Sequence, residues 1–186
     1  VKAAPVVVDI DDDGMQEVLV AYDASGTLYL DAWSPRLTCS VTGWSPGGHG
    51  GELLWSWSDE SLMISSDVGP YTWSGFGGHK PTAQPLLADL DLDGDAEIVI
   101  AAIDEVSENP VVVALGLSNS GATALWDATL DKGSHPSDPA FAQVDDYTGY
   151  VLLTTIEANN GGMWVWKIDS SSGDSSWDGG LSLDNL

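Results

Sequence analysis

Short apolar runs bounded by Gly, Ser, Asp or Pro recur along the whole chain, and the three-to-four-residue period of an amphipathic helix is scarce. Runs such as VVV (6–8), EVLVAY (17–22), TLYLDAW (27–33), LLWSW (53–57), EIVIAAI (97–103), VVVALGL (111–117), VLLTTI (151–156) and MWVWKI (163–168) predict strands joined by Gly-rich turns. The fold class expected from this pattern is all-β.

An internal repeat lies over these strands and sets the expected architecture. Residues 4–23 read APVVVDIDDDGMQEVLVAYD, and residues 84–104 read QPLLADLDLDGDAEIVIAAID. Both run proline, apolar strand, D-x-D-x-D-G-x-x-E, apolar strand. A third, worn copy is DPAFAQVDDYTGYVLLTTIE (138–157), with Asp145 and Asp146 in the acidic turn and most other acidic positions gone. Each copy continues into an aromatic or apolar strand and then a Trp-bearing segment: YLDAW and LLWSW, VVVALGL and TALWDATL, MWVWKI and SSWDGG. Four-stranded units are therefore expected at about 1–60, 80–130 and 138–186 within a single repeat domain spanning 1–186, with 60–80 an insertion or a decayed half-unit.

The acidic turns carry the candidate chemistry. Alternate side chains of D-x-D-x-D-G-x-x-E point to one side of a tight loop, and calcium takes six to eight oxygens at roughly 2.3–2.6 Å. The first turn offers Asp9, Asp11, Asp13 and Glu17 with the backbone carbonyl of Met15; the second offers Asp89, Asp91, Asp93 and Glu97 with the carbonyl of Asp95. Gly14 and Gly94 allow the sharp bend. A bound cation would explain how so many acids tolerate one another beside strands that need burial. An EF-hand requires flanking helices and a bidentate Glu at the twelfth loop position, which here is Val20 or Ile100, so a calcium-binding β-hairpin loop is expected instead. Magnesium suits the turn less well, because its octahedral shell retains several waters. No equivalent site is expected at Asp145 and Asp146.

With PVVVDI before the turn and EVLVA after it, the pattern resembles the FG-GAP or VCBS repeats of β-propellers, the family that includes the calcium-binding blades of integrin α subunits. The resemblance implies four-stranded antiparallel blades, each with its metal loop between the first two strands. Phe76-Gly77 lies far before Asp89, and Ala101-Ala102 stands where the family signature has Gly-Ala, which points to the looser bacterial or archaeal form of the repeat. Three blades fall short of the usual ring of four to eight, so the array is expected either to belong to a larger propeller or to assemble with other chains through open edges.

Charge narrows the partners. With 29 Asp and Glu against 5 Lys and Arg, the net charge of -24 repels nucleic acid and anionic lipid surfaces alike. No apolar run approaches the ~20 residues of a membrane helix, and residues 1–30 are not expected to act as a signal peptide. The chain begins Val1-Lys2, which suggests a processed product or a piece of something longer. The single cysteine, Cys39, is read as a core thiol before an intermolecular link and says nothing decisive about redox compartment.

Catalytic alternatives are weaker. GWSPG (43–47) matches G-x-S-x-G with Ser45 in the nucleophile position and His49 nearby, but PGGHGG follows and cannot start the helix that a nucleophile elbow requires. His49, His79 and His135 read as loop residues, and a glycosidase carboxylate pair cannot be established from spacing. Trp55 and Trp57 share one strand face and are read as core before a stacking platform for sugar rings; Trp164 and Trp166 are read as core. The expected function is that of a non-enzymatic, calcium-stabilised extracellular module acting in binding, adhesion or assembly as a surface-layer or filament subunit. The alternative is a non-catalytic propeller portion of a secreted polysaccharide- or lipid-active enzyme.

Overall fold

The computed structural model describes residues 4–24, 27–34, 52–59, 62–63, 83–104, 107, 109–133, 135–156 and 162–175. Among these, thirteen strands form three antiparallel sheets, and there is no helix. The first sheet is a meander of β1 (Val6–Val8), β2 (Glu17–Ala24), β3 (Thr27–Ser34) and β4 (Glu52–Asp59) in that order. The second holds β7 (Glu97–Asp104), β8 (Pro110–Ser118) and β9 (Gly121–Thr129), with β5 (Leu62–Met63) and β6 (Leu86–Ala88) both paired to β7. In the third, β10 (His135–Pro136) and β11 (Ala140–Asp145) share one side of β12 (Thr148–Ile156), and β13 (Met163–Asp169) takes the other.

The second and third sheets repeat one plan. β6 meets the start of β7 through Ala88↔Glu97, and β5 meets its end through Leu62↔Asp104. Likewise β11 meets the first part of β12 and β10 its end, through His135↔Ile156. Two short strands thus fill one edge position in each sheet. An isolated bridge from Ile168 to Ser175 extends the third sheet beyond β13.

Alternation along the strands then stacks the sheets. Leu19, Ala21, Leu28, Leu30 and Trp55 of the first sheet pack against Ile98, Ile100, Val113 and Leu115 of the second. The opposite face of the second sheet, with Val99, Ala101, Val112 and Trp126, packs against Val151, Leu153, Trp166 and Ile168 of the third. The second sheet is buried on both faces, which is why β7 is a nearly continuous apolar run, EIVIAAI, whereas β12 alternates between buried and half-buried positions. Both tryptophan pairs read as core are placed there: Trp55 and Trp166 are buried, and Trp57 and Trp164 are half-buried against the same two cores.

The all-β expectation holds, and every strand run named from the sequence is a strand to within three residues at either end. Among the described residues no closed barrel or propeller is formed, so the architecture shown is a stack of three sheets. Two elements were not foreseen. Leu62–Met63, at the start of the stretch read as an insertion or half-unit, pairs with β7, and His135, read as a loop residue, lies in β10. Cys39, the GWSPG turn with Ser45, His49, Phe76-Gly77 and His79 lie outside the described residues.

Candidate metal centres

The two acidic turns connect β1 to β2 and β6 to β7, and each pair of flanking strands is held in antiparallel register, Val8↔Glu17 and Ala88↔Glu97. Their internal bonding is nearly identical. In the first, Asp9 accepts from the backbone N–H of Asp13 (3.2 Å) on one oxygen and of Gly14 (2.9 Å) on the other. In the second, Asp89 accepts from Asp93 (3.0 Å) and Gly94 (3.0 Å) in the same way. Asp11 adds an acceptor for Asp13 N–H at 3.3 Å. Met15 and Asp95, expected to offer carbonyls, donate their N–H groups to Asp13 (2.8 Å) and Asp93 (2.9 Å).

The backbone bends at matching places. Asp12 and Leu92 sit at φ of 55° and 64°, and Gly14 and Gly94 at 84° and 104°. The left-handed conformation is costly for a leucine, so its recurrence at the same position of both loops shows that the surrounding bonds impose the turn. The glycines relieve the second bend, where an added side chain would be strained.

Under each loop lies the glutamate. Glu17 and Glu97 are only 3% and 5% exposed. Glu17 accepts from Ile10 N–H (3.2 Å), and Glu97 from Leu90 N–H (2.7 Å). The carboxylates converge differently in the two loops. Oxygens of Asp9, Asp11 and Asp13 lie within 4.8 Å of one another, whereas in the second loop the group is Asp89, Asp91 and Glu97. Glu17 thus stays outside the first triad, and Asp93 outside the second.

Two unit charges under 5 Å apart repel by about 1 kcal/mol even in bulk water, and by more where solvent is excluded. The second loop shows the effect. Loss of hydration on burial pushes the Glu97 carboxyl from its ordinary 4.5 up to about 7, against the lowering influence of Leu90 N–H, and the charges of Asp91, Asp93 and Asp89 raise it further. A divalent cation entering this loop would release the proton. Each donor set is made of carboxylate oxygens with no Cys or His, the chemistry of hard cations rather than of zinc or copper. Both clusters could therefore hold a metal ion.

The worn third copy has another use for its acids. Asp145 closes the tight turn between β11 and β12, accepting from Tyr147 N–H at 2.9 Å, and that bond, with others from Thr148, holds its carboxyl below the usual range. His135 is half-buried, and burial holds its imidazole below its ordinary value against a hydrogen bond involving the Ile156 backbone.

Sequence reasoning did not foresee the part played by Leu90 and Ser170. Leu90 occupies an unspecified position of the motif, and its contribution comes from its backbone N–H and C=O, which leave no trace in side-chain identity. Ser170 is brought to the second loop by the third sheet, with its hydroxyl donating to Leu90 C=O at 2.6 Å. No family model, curated protein or solved structure matches this chain.

Proposed function

We propose that the protein is a calcium-stabilised β-repeat module of the cell exterior that works by binding or assembling with other chains and has no catalysis of its own. The observation that carries this reading is the duplicated acidic loop, in which the same bonds and the same backbone bends recur in two sheets. Three converging carboxylates per loop, with a fourth acid and a carbonyl offered by the motif beside them, suit calcium, which accepts six to eight oxygens in flexible geometry, better than magnesium. The metal is structural, because each loop joins adjacent strands of one sheet. Extracellular calcium modules bind with dissociation constants of about 0.1–1 mM, so such sites fill outside the cell and stay empty at cytosolic calcium. This is the ground for the extracellular location.

The resemblance to FG-GAP and VCBS repeats supports reading the three stacked sheets as propeller-like blades. Assembly is supported by the outermost strands. Leu53 and Leu54 on β4 and Leu125 on β9 are exposed, and neither strand has a described neighbour on its outer side. Open edges bearing apolar side chains invite another chain. The charge of -24 opposes self-association until cations offset it, so calcium favours assembly twice over.

Light scattering and negative-stain microscopy of the 186-residue chain test the assembling role. Ordered oligomers or filaments are expected in millimolar calcium, dispersing on chelation and weakened in the Leu54→Lys/Leu125→Lys variant. A monodisperse monomer in calcium at every concentration would contradict it.

A further inference from the structure

The two junctions between sheets are built alike. At the first, Trp55 of β4 donates its indole N–H to the carbonyl of Ser118 at 2.9 Å. At the second, Trp126 of β9 donates to the carbonyl of Ser170 at 2.7 Å. Ser118 ends β8 and Ser170 directly follows β13, so in each case a fourth-strand tryptophan reaches the end of the next sheet's third strand.

The two serine hydroxyls, however, do different things. Ser118 is exposed, and its hydroxyl turns back onto its own hairpin, donating to Gly121 C=O at 2.9 Å. Ser170 is 2% exposed, and its hydroxyl crosses the junction to Leu90 C=O at 2.6 Å. Leu90 lies inside the second acidic loop, and its N–H is the donor that holds Glu97 at 2.7 Å. A chain of contacts therefore runs from the Trp126 indole through Ser170 and the backbone of Leu90, across its Cα, to a carboxylate of the metal cluster. At the first junction the corresponding place is a cleft of about 270 Å³ whose lining includes both Ile10 and Ser118.

We infer that Ser170 is a positioning residue of the second cation site, and that a cation in this loop tightens the docking of the third sheet on the second. The inference rests on the reading of the acidic loops as calcium sites. The carbonyl and N–H of Leu90 belong to successive peptide groups that meet at one Cα, so a hydroxyl that pins the carbonyl limits rotation there and with it the direction of the N–H. Ser170 thus holds in place the Leu90 backbone whose N–H orients Glu97, and outer partners of this kind set ligand geometry in metal sites generally. Because coupling between two equilibria is reciprocal, whatever Ser170 adds to cation affinity the cation returns to the junction. The first loop lacks this link and serves as an internal control.

The test uses the full chain with the first loop silenced by Asp9→Asn and Asp11→Asn, so that calcium titration reads the second loop alone. Ser170→Ala is expected to weaken that affinity about three- to tenfold, the scale of one buried hydrogen bond, while Ser118→Ala leaves it within twofold. In the wild-type protein, which needs no substitution to fold, calcium is expected to slow hydrogen exchange at the Trp126 indole more than at the Trp55 indole. Equal slowing at both indoles overturns the inference, as does an unchanged affinity in a folded Ser170→Ala protein. If the silenced protein binds no calcium at all, the calcium reading of the second loop fails with it; if it binds and Ser170→Ala has no effect, only the positioning role fails.

Discussion

Replacing Glu97 by glutamine should make the metal-free protein more stable at alkaline pH and less responsive to calcium. In the folded chain the Glu97 carboxyl is raised from 4.5 to about 7, chiefly because burial strips its hydration. Its folded pKa thus exceeds its unfolded one. Between pH 4.5 and about 7 the native state carries the extra proton, so this group's contribution to stability falls as pH rises through that window and stays low above it. A displacement of that size corresponds to about 3 kcal/mol at full ionisation. Glutamine keeps an oxygen for Leu90 N–H but brings an amide N–H₂ that needs its own acceptor, so a net gain of about 1–2 kcal/mol is expected. Urea unfolding followed by tryptophan fluorescence in the presence of chelator measures it. At pH 8 Glu97→Gln should exceed wild type by that margin, and at pH 5 the two should nearly coincide. In 10 mM calcium at pH 8 the order should reverse, because only the wild type retains the full ligand set. A difference between variant and wild type that is the same at pH 5 and pH 8 would show that ionisation of the buried Glu97 does not limit stability.

Two further substitutions probe the frame that holds the loops. A methyl group at Gly149 would lie 2.5 Å from the Phe141 ring and 2.7 Å from the Ser170 hydroxyl, so Gly149→Ala should cost about 1–3 kcal/mol in urea unfolding and weaken calcium binding at the second loop. Trp55→Phe removes the indole donor to Ser118 C=O and should cost about 1–2 kcal/mol in the same assay, with calcium affinity at the second loop unchanged.

Much of this molecule is legible from residue order alone, because strand boundaries coincide with Gly, Pro and Asp and because the repeat aligns each acidic turn with a strand pair. The burial of the second sheet on both faces is also written there, in the contrast between the unbroken EIVIAAI of β7 and the mixed VLLTTI of β12. Leu62–Met63 and His135–Pro136 were not legible: two-residue strands have no periodicity, and Pro136 argues against a strand on local grounds. The motif names four carboxylates per loop but not which three converge. That choice depends on side-chain rotation, Asp13 joining the first cluster and Glu97 the second. The Ser170 link was hidden for another reason. It joins residues 80 apart in sequence and engages a backbone carbonyl, so it depends on how the third sheet docks.

Calorimetric titration of the metal-free chain with calcium decides whether the acidic loops are cation sites that hold the strands together. Two sites are predicted, with dissociation constants of about 0.1–1 mM. Silencing the first loop with Asp9→Asn and Asp11→Asn should leave one site, and so should silencing the second with Asp89→Asn and Asp91→Asn. At pH 6 to 7 the site that remains in the first-loop variant should release a fraction of a proton as it fills, since burial raises the Glu97 carboxyl to about 7 in the metal-free state. An absence of binding at millimolar calcium would contradict the account, as would a stoichiometry that survives both pairs of substitutions.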